Sequence, residues 1–558
     1  MVKKSYKIFI AAVIAILFIA VVISQTGIYF ETNDDRFIAE ILSGASINKS
    51  DAHVVYVNYL LALPLSMLYS LTTQVPWYGG MLILLHVLTY FVLLWSVYDR
   101  CTTKRAMVLM TVVLGCFFLL NIYVTAMIQY TSTAALVALA GYACLLLQQD
   151  KKRGEILFFI MELLALLLRS QAMLMMQPIG GAVYMAVCLM EKEQNFRIRC
   201  RKILEWMLTV AIVLLIGQIG SFIGYRGEWK AYERFNEART TMFDYYGTPA
   251  YEEVKDILNK YQVTEAEYNA FCNYVILDWE VPLECVEELA EYVSRQNEKT
   301  LDIPSLLEQI GDSWDKNNYM GINKACIWLW IAAIVWVLLK RRWWMVLPLT
   351  GLVAAHTLVL GYLLYQGRTP ARVMYPLAVG MVLLLIVLLL VDCTKYRPGK
   401  WMLVLLLFIG IMWGDSCIDA GRAQYRTAKE NNAGQQVFIE GAIEVREYCN
   451  QYPDNRYLLD SWSFCYYRGS ALETRLYQQS NSVLTGSWYS NSPVMNRYMK
   501  EYLDLEQDNL HLIIYDTGTD EPNYTVEFLQ ERTGKTAELV DSFLVSHGGG
   551  YLVYQFRE

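Results

Sequence analysis

Two adjacent carboxylates follow the first apolar stretch of the chain. Segment 31–36 reads ETNDDR. Thr32 or Asn33 can cap a helix whose first turn holds Asp34 and Asp35, where the helix dipole favours negative charge. A carboxylate in that position can take a proton from an acceptor hydroxyl, or bind a divalent cation that grips a phosphate. The alternative is that both acids are solvated and only stabilise the helix terminus.

A second feature is a pair of arginines in a short turn rich in glycine and proline. Segment 365–372 reads YQGRTPAR and contains Arg368 and Arg372. Arginine binds phosphate through a planar, bidentate, charge-assisted fork. The pair is therefore expected to bind a phosphate, either that of a lipid-linked substrate or that of an anionic lipid headgroup.

Further polar residues are weaker candidates for the same site. Glu162 and Arg169 lie seven residues apart in an apolar stretch, so they share a helix face. Ionisable groups at membrane depth are costly and suggest function, although Arg169 could instead extend its charged end to the membrane surface. Three nearby residues could line a pocket, with structural roles as the alternative: His53, Gln171 and Tyr130.

Composition indicates the setting in which these residues act. Of the 558 residues, 55% are hydrophobic, and runs such as Ile8–Ser24 and Met381–Val391 carry no charge. Such runs are typical of membrane spans. The net charge is −7, and no basic block with interleaved aromatic residues argues for a nucleic-acid partner. The 12 cysteines form no CxxC pair and there are five histidines, which argues against a structural zinc site.

The apolar runs predict about eleven membrane spans in a polytopic α-helical protein. Several runs are shorter than the roughly 20 residues of an ideal span, so their ends are soft. They lie at Ile8–Ser24, Tyr78–Tyr98, Ala106–Met127, Thr131–Leu147, Ile156–Leu168, Leu174–Met190, Ile203–Ile223, Ile327–Leu339, Trp344–Leu364, Met374–Val391 and Trp401–Trp413.

The orientation follows from the lysines and arginines of the short loops, which stay in the cytoplasm. Lys3, Lys4 and Lys7 place the N-terminus inside. All later basic loops also fall inside if each of the eleven runs crosses once. The apolar stretch Val54–Leu71 would invert them if it crossed, so it is predicted to be a helix, kinked at Pro64, on or in the outer leaflet.

This topology divides the chain into four parts. Residues 1–224 form an N-terminal transmembrane region whose first outer loop is 27–77. Residues 225–324 form an extracytoplasmic helical loop, and residues 325–414 form the C-terminal transmembrane helices. Residues 415–558 alternate helical and β-like runs, which predicts an extracytoplasmic α/β domain. The site residues then face the outside of the cell membrane.

The pattern resembles the GT-C superfamily of membrane glycosyltransferases. The resemblance rests on the inside N-terminus, the acidic pair just after the first span, the interfacial helices of that loop, and the closing α/β domain. It is closest in kind to bacterial GT-C-like proteins of surface-polysaccharide assembly in the cell envelope, and is distantly similar to protein O-mannosyltransferases and the aminoarabinose transferase of lipid A. The Asp-Asp pair departs from the Asp-Glu of the mannosyltransferases, and no Trp-Trp-Asp motif of the oligosaccharyltransferases is present.

The resemblance implies transfer of a sugar from a polyprenyl-phosphate donor to an extracytoplasmic acceptor, which could be a glycolipid, a surface polymer or a protein. Asp34 or Asp35 would be the catalytic base, and would also be the metal contact if a divalent cation takes part. Arg368 and Arg372, and more weakly Arg169, would bind the donor phosphate. One displacement would invert the anomeric configuration. The alternatives are a transporter or flippase, or a polymerase, of lipid-linked sugars.

Overall fold

The computed structural model describes residues 2–191, 195–277, 281–297, 302–316, 321–393, 400–465, 467–478, 480–502, 509–518 and 523–557. Helices dominate this part of the chain. In chain order they are α1 (Lys4–Thr26), α2 (Asn33–Ser43), α3 (Tyr59–Leu71), α4 (Trp77–Asp99), α5 (Lys104–Leu119), α6 (Ile122–Ala126), α7 (Tyr130–Leu147), α8 (Lys151–Leu168), α9 (Ser170–Met190), α10 (Phe196–Gly224), α11 (Trp229–Thr240), α12 (Tyr251–Lys260), α13 (Glu265–Cys272), α14 (Leu283–Gln296), α15 (Ile303–Lys316), α16 (Ile322–Lys340), α17 (Val346–Tyr365), α18 (Ala371–Cys393), α19 (Lys400–Gln451), α20 (Pro493–Tyr502) and α21 (Tyr524–Thr533).

Within the described ranges, nine helices are long and apolar enough to cross a membrane. They are α1, α4, α7, α9, α10, α16, α17 with the 3-10 turn before it, α18 and α19. This agrees with a polytopic helical membrane protein. Each of the nine coincides with one of the predicted runs.

The other two predicted spans differ from the nine in length or charge. Ala106–Met127 is divided between α5, with 16 residues, and the five-residue α6. At 1.5 Å per residue, α5 is about 24 Å long, short of a hydrocarbon layer of about 30 Å. Ile156–Leu168 lies in α8, whose first turns carry Lys151, Lys152 and Arg153. The number of eleven crossings therefore stays a prediction.

The short helix α3 has both ends at one end of the helical bundle. Before it, the Asn58 amide donates to the Leu167 carbonyl at the end of α8, at 2.8 Å. Near its end, the Tyr69 hydroxyl accepts from the Tyr78 amide at the start of α4, at 3.1 Å. The helix has 13 residues and contains Pro64. It therefore lies along this end of the bundle, which also carries α2 and is called the α2 face below.

Three of the basic residues lie together at the opposite end. The Lys7 ammonium donates to the Asp99 carbonyl at 3.3 Å, and Arg153 forms an ion pair with the Asp99 carboxylate at 2.6 Å. Arg100 donates to the Leu147 carbonyl at 2.7 Å. The first basic segments of the chain therefore share one end of the bundle, whereas the predicted inside loop Lys395–Lys400 lies largely outside the described residues. That this side is cytoplasmic remains a prediction.

A helical module and a mixed sheet cover the α2 face. The module contains α11 to α14 and a π-helical turn, Thr241–Tyr246, around its own core, which includes Phe235, Leu258 and Leu289. A separate two-stranded pair joins β1 (Tyr29–Phe30) to β2 (Met127–Ile128). The strands of the sheet are β3 (Arg456–Leu459), β4 (Ser482–Leu484), β5 (Leu510–Tyr515), β6 (Thr536–Leu544) and β7 (Gly550–Arg557). Their order in the sheet is β4-β3-β5-β7-β6.

The predicted boundary at residue 415 falls inside a continuous helix. α19 runs for 52 residues, from the membrane region into the α/β part, because no proline or turn interrupts the helical residues there. Strands β3, β4 and β5 are parallel, whereas β7 is antiparallel to β5 and β6. The β-like runs of the sequence overlap β3, β5, β6 and β7, whereas β4 was not predicted; these runs are Tyr457–Asp460, Leu510–Tyr515, Leu539–Val545 and Tyr551–Phe556.

The carboxyl ends of the parallel strands point to α2. After β3, the Phe464 carbonyl accepts from Arg36 at 3.1 Å and the Cys465 carbonyl accepts from Asn33 at 3.3 Å. After β4, the Trp488 ring packs on Phe37, with ring centroids 6.3 Å apart. Ligand crevices of α/β sheets form at such carboxyl ends. The fold therefore brings this edge of the sheet to the acidic pair.

Candidate active site

The first turn of α2 sits between the bundle and the sheet. Thr32 is the N-cap residue, with extended backbone, but its side chain makes no capping hydrogen bond. Its hydroxyl instead donates to Asp35 Oδ2 at 3.4 Å, and Asn33 is held by the loop after β3. The expected capping by either side chain is thus absent: Thr32 bonds to Asp35 instead, and Asn33 bonds to the loop after β3.

Asp35 is fully buried and its carboxylate is already occupied. Its Oδ1 accepts from the Tyr78 hydroxyl at 2.8 Å and from the Tyr130 amide at 3.1 Å. Burial raises the pKa of Asp35 well above its ordinary value, while the hydrogen bonds from Tyr78 and Tyr130 oppose the shift. This carboxyl links α2 to the first turns of α4 and α7, so its role is structural.

Asp34 faces a group of opposite charges. Burial raises the pKa of its carboxyl, and the positive charge of Arg372 is the largest effect that lowers it. Arg169 and Arg239 also lower it, whereas Asp244 raises it. Arg372 lies in the first turn of α18, Arg169 between α8 and α9, and Arg239 in α11. Three guanidinium groups from three separate parts of the chain therefore act on one carboxylate.

Arg169 is positioned by two tyrosine rings. It interrupts the helix between α8 and α9, with extended backbone. Its guanidinium carbon lies 4.7 Å from the ring centroid of Tyr56 and 5.4 Å from that of Tyr130, and these two rings are stacked at 5.8 Å. Cation–π contact holds a guanidinium while its N–H groups remain available. Glu162, which sequence spacing placed on the same face, instead accepts from Gln177 at 2.8 Å.

The two arginines of the turn before α18 have different surroundings. The Arg368 guanidinium carbon lies 3.9 Å from the ring centroid of Tyr245, in the π-helical turn that also carries Asp244. The Arg372 charge acts on Asp34 and on Glu31. Arg372 therefore belongs to the cluster directly, whereas Arg368 lies at its edge against the helical module.

Four charged residues of this cluster are absent from the sequence prediction: Glu31, Arg239, Asp244 and Arg468. Arg239 is buried, and donates to the Asn236 side chain at 2.8 Å and to the Tyr274 hydroxyl at 3.3 Å. Burial raises the pKa of Glu31 to about 7, although the charges of Arg372 and Arg468 lower it. Glu31 could have been predicted from its position three residues before Asp34. The other three residues are far from Asp34 in sequence and come near it only in the folded protein.

His53 and Gln171 lie outside this cluster. His53 Nδ1 is 2.6 Å from Asp51 Oδ1, its Nε2 is 3.1 Å from the Gly224 carbonyl, and its ring stacks on Trp229 at 3.7 Å. These contacts join the first loop to the end of α10 and the start of α11. Gln171 is exposed and accepts a hydrogen bond from its neighbour Ser170 at 3.3 Å.

The residues do not provide a metal site of ordinary composition. Across the described ranges, no three histidine, cysteine, aspartate or glutamate side chains are placed to hold one ion. Asp35 also uses its oxygen for protein donors. A divalent cation at Asp34 and Asp35 therefore has no support in this donor set, and no step below passes through one.

The cluster can hold an anion next to a carboxylate. Its arginines supply forked donors for phosphate, and Asp34 supplies a proton acceptor in partly desolvated surroundings. In comparisons with protein-family models, with curated proteins and with solved structures, nothing matches this chain.

Proposed function

We propose that this protein is a membrane-embedded glycosyltransferase that moves a sugar from a polyprenyl-phosphate donor to an acceptor hydroxyl on the α2 face. The observation that carries the proposal is that Asp34 follows the N-cap of α2 next to Asp35, which is bonded to the Tyr130 amide, while the Arg169 guanidinium lies 5.4 Å from the Tyr130 ring centroid. The charges of Arg372, Arg169 and Arg239 all act on the Asp34 carboxyl. Proton abstraction and stabilisation of a leaving phosphate require those two kinds of group side by side.

Asp34 is the base of this proposal. The acceptor oxygen attacks the anomeric carbon, the bond between that carbon and the phosphate oxygen breaks, and the acceptor proton passes to Asp34. The electron pair of the broken bond leaves with the lipid phosphate, whose charge the arginines stabilise. A base is most effective when its pKa lies near the working pH, and burial moves the pKa of Asp34 upward. A single displacement inverts the anomeric configuration.

Asp35 is a positioning residue in this scheme. Its Oδ1 accepts from Tyr78 and Tyr130, its Oδ2 accepts from Thr32, and the whole residue is buried. It holds the first turn of α2 on the bundle, which fixes Asp34 relative to Arg169 and Arg372. The membrane location suits the donor, because a polyprenyl chain stays in the bilayer while its phosphate reaches the α2 face.

The test is transfer and donor hydrolysis by purified Asp34→Asn protein in lipid nanodiscs, with a set of polyprenyl-phosphate sugars. General-base catalysis contributes about 10²- to 10⁴-fold, so we expect a loss of that size without a change in thermal unfolding. Asp256→Asn is the matched control, because Asp256 is exposed on α12. Full activity of the Asp34→Asn protein would reject the assignment. In sealed proteoliposomes, movement of an intact lipid-linked sugar across the bilayer, with no cleavage by the wild type, would favour a flippase.

A further inference from the structure

Glu31 is held rigidly beside the arginine cluster. It follows β1, and its amide donates to the Ile128 carbonyl at 3.1 Å. Its own carbonyl accepts from Arg468 Nη1, also at 3.1 Å. The main chain of Glu31 is therefore bonded on one side to the bundle and on the other to the α/β part. These two contacts fix the point at which its side chain leaves the main chain.

One oxygen of the Glu31 carboxyl has no hydrogen-bond partner. This atom, Oε2, is out of contact with solvent and unpaired within the part of the chain that the structure describes. The charges of Arg372 and Arg468 nevertheless act on it. A buried polar oxygen that is left unpaired costs roughly 1–3 kcal/mol. An unpaired oxygen of this kind indicates a binding site for a further group, which would supply the missing hydrogen bond.

The two arginines have unused donors. Arg468 gives one N–H to the Glu31 carbonyl, and the guanidinium of Arg372 makes no hydrogen bond to any described residue. Forked guanidinium donors match the oxygens of a phosphate ester. An ionised Glu31 repels such an anion, whereas a protonated Glu31 can donate an O–H to it.

We propose that Arg372 and Arg468 form a seat for a phosphate ester and that Glu31 controls it, admitting the phosphate only when the glutamate carries a proton. The protonated carboxyl donates its hydrogen to a phosphate oxygen, and no covalent bond changes. The identity of the ester as a lipid phosphate rests on the proposed function, whereas the proton control rests on Glu31 alone.

The neighbouring titratable groups define the pH range. Arg372 and Arg468 face Glu31 from α18 and from the loop after β3, and the carboxyl of Asp35 and the phenol of Tyr123 also interact with it. Both arginines stay charged near neutral pH. With the pKa of Glu31 at about 7, the protonated fraction is about 0.9 at pH 6 and about 1/30 at pH 8.5. Apparent affinity scales with the competent fraction, so it should fall about 30-fold between these pH values.

The experiment measures the Kd of the protein in nanodiscs for a methyl ester of polyprenyl phosphate. This phosphodiester keeps a single charge from pH 6 to pH 8.5. We expect the wild type to bind about 30-fold more weakly at pH 8.5 than at pH 6. Glu31→Gln keeps an N–H donor in place of the protonated acid, so its Kd should differ less than about threefold between the two pH values.

The control is Glu440→Gln, because Glu440 is partly exposed and pairs with Arg475; it should keep the wild-type dependence. A pH-independent wild type, or a Glu31→Gln protein that keeps the full dependence, would overturn the proposal. The wild-type titration needs no variant, so it decides the matter even if Glu31→Gln does not fold.

Competition at pH 6 identifies the source of the phosphate: tighter binding of the lipid ester than of inorganic phosphate supports a lipid, and equal affinities overturn that part. Asp34→Asn should keep the pH dependence of binding, which separates this test from the test of transfer.

Discussion

Two adjacent glycines in α4 offer a direct test of how the α/β part docks on the bundle. A Cβ atom added at Gly79 would lie 1.8 Å from the Ala471 carbonyl oxygen, whereas one added at Gly80 would meet nothing within 4 Å. Ordinary contact begins at 3.4 Å, so the loop at Ala471 must retreat by about 1.6 Å to admit a methyl group at Gly79.

The cost of that retreat can be worked out from the bonds of the loop. The Ala471 amide donates to the Ile28 carbonyl at 3.2 Å, and the Gly469 carbonyl accepts from the Phe30 amide at 3.0 Å. Two such bonds contribute about 1 kcal/mol each, and overpacking costs about 1–3 kcal/mol. Alanine gains about 1 kcal/mol over glycine as a helix former. We therefore expect Gly79→Ala to lower the free energy of unfolding by about 2–4 kcal/mol, while Gly80→Ala raises it by up to about 1 kcal/mol.

The assay is titration with sodium dodecyl sulfate in mixed micelles, followed by tryptophan fluorescence, on both variants and the wild type. The displaced loop also carries Arg468, so Gly79→Ala should weaken binding of the phosphodiester probe as well. Equal unfolding free energies for the two variants would refute the close approach of Gly79 to the loop. If Gly80→Ala also lowered the free energy of unfolding, the cost would come from an added methyl group in α4 itself and not from the contact with the loop.

Two further predictions concern carboxyl groups near the first turn of α2. Asp35→Ala should destabilise the protein by about 2–4 kcal/mol, because it leaves the Tyr78 hydroxyl and the Tyr130 amide unpaired; Asp35→Asn keeps an acceptor and should unfold at nearly the wild-type detergent concentration. An equal effect of the two substitutions would contradict the role of the Asp35 oxygen. Burial raises the pKa of Glu31 from 4.5 to about 7, so folded protein binds more protons than unfolded protein between these values, and stability should fall as pH rises through that range, by at most about 3 kcal/mol. Glu31→Gln should flatten that part of the stability curve, and an unchanged slope would contradict the assignment.

The sequence predicted the candidate residues that depend on local chemistry. The helix at Asn33, the two aspartates in its first turn and the arginine at the start of α18 follow from helical spacing, charge and the turn residues, although Thr32, the N-cap residue, makes no capping hydrogen bond. Hydropathy located the nine long apolar helices, because a span needs only its own composition to be recognised.

The remainder depends on contacts between distant parts of the chain. Arg239 comes to Asp34 because α11 packs on the α/β part, where the Tyr232 hydroxyl donates to the Trp488 carbonyl at 2.7 Å. Nothing in the local pattern of α11 distinguishes Arg239 from an ordinary surface arginine. Likewise, the stacking of His53 on Trp229 joins residues far apart in the chain, and no local pattern predicts it.

Helix α19 makes contacts along its length, from the helices of the membrane region to the segment that carries Arg468. Gln424 donates to the Leu120 carbonyl at 3.0 Å, Asn432 donates to the Thr26 carbonyl at 2.8 Å, and Gln435 accepts from the Arg468 amide at 2.7 Å. Each added residue in a helix advances the axis by about 1.5 Å and turns it by about 100°. One residue inserted in α19 before Gln424 would therefore rotate all three side chains away from these partners. Only insertions close to a whole number of helical turns would keep the side chains facing them. The rotation of α19 about its axis therefore determines how Arg468 is oriented relative to the membrane region.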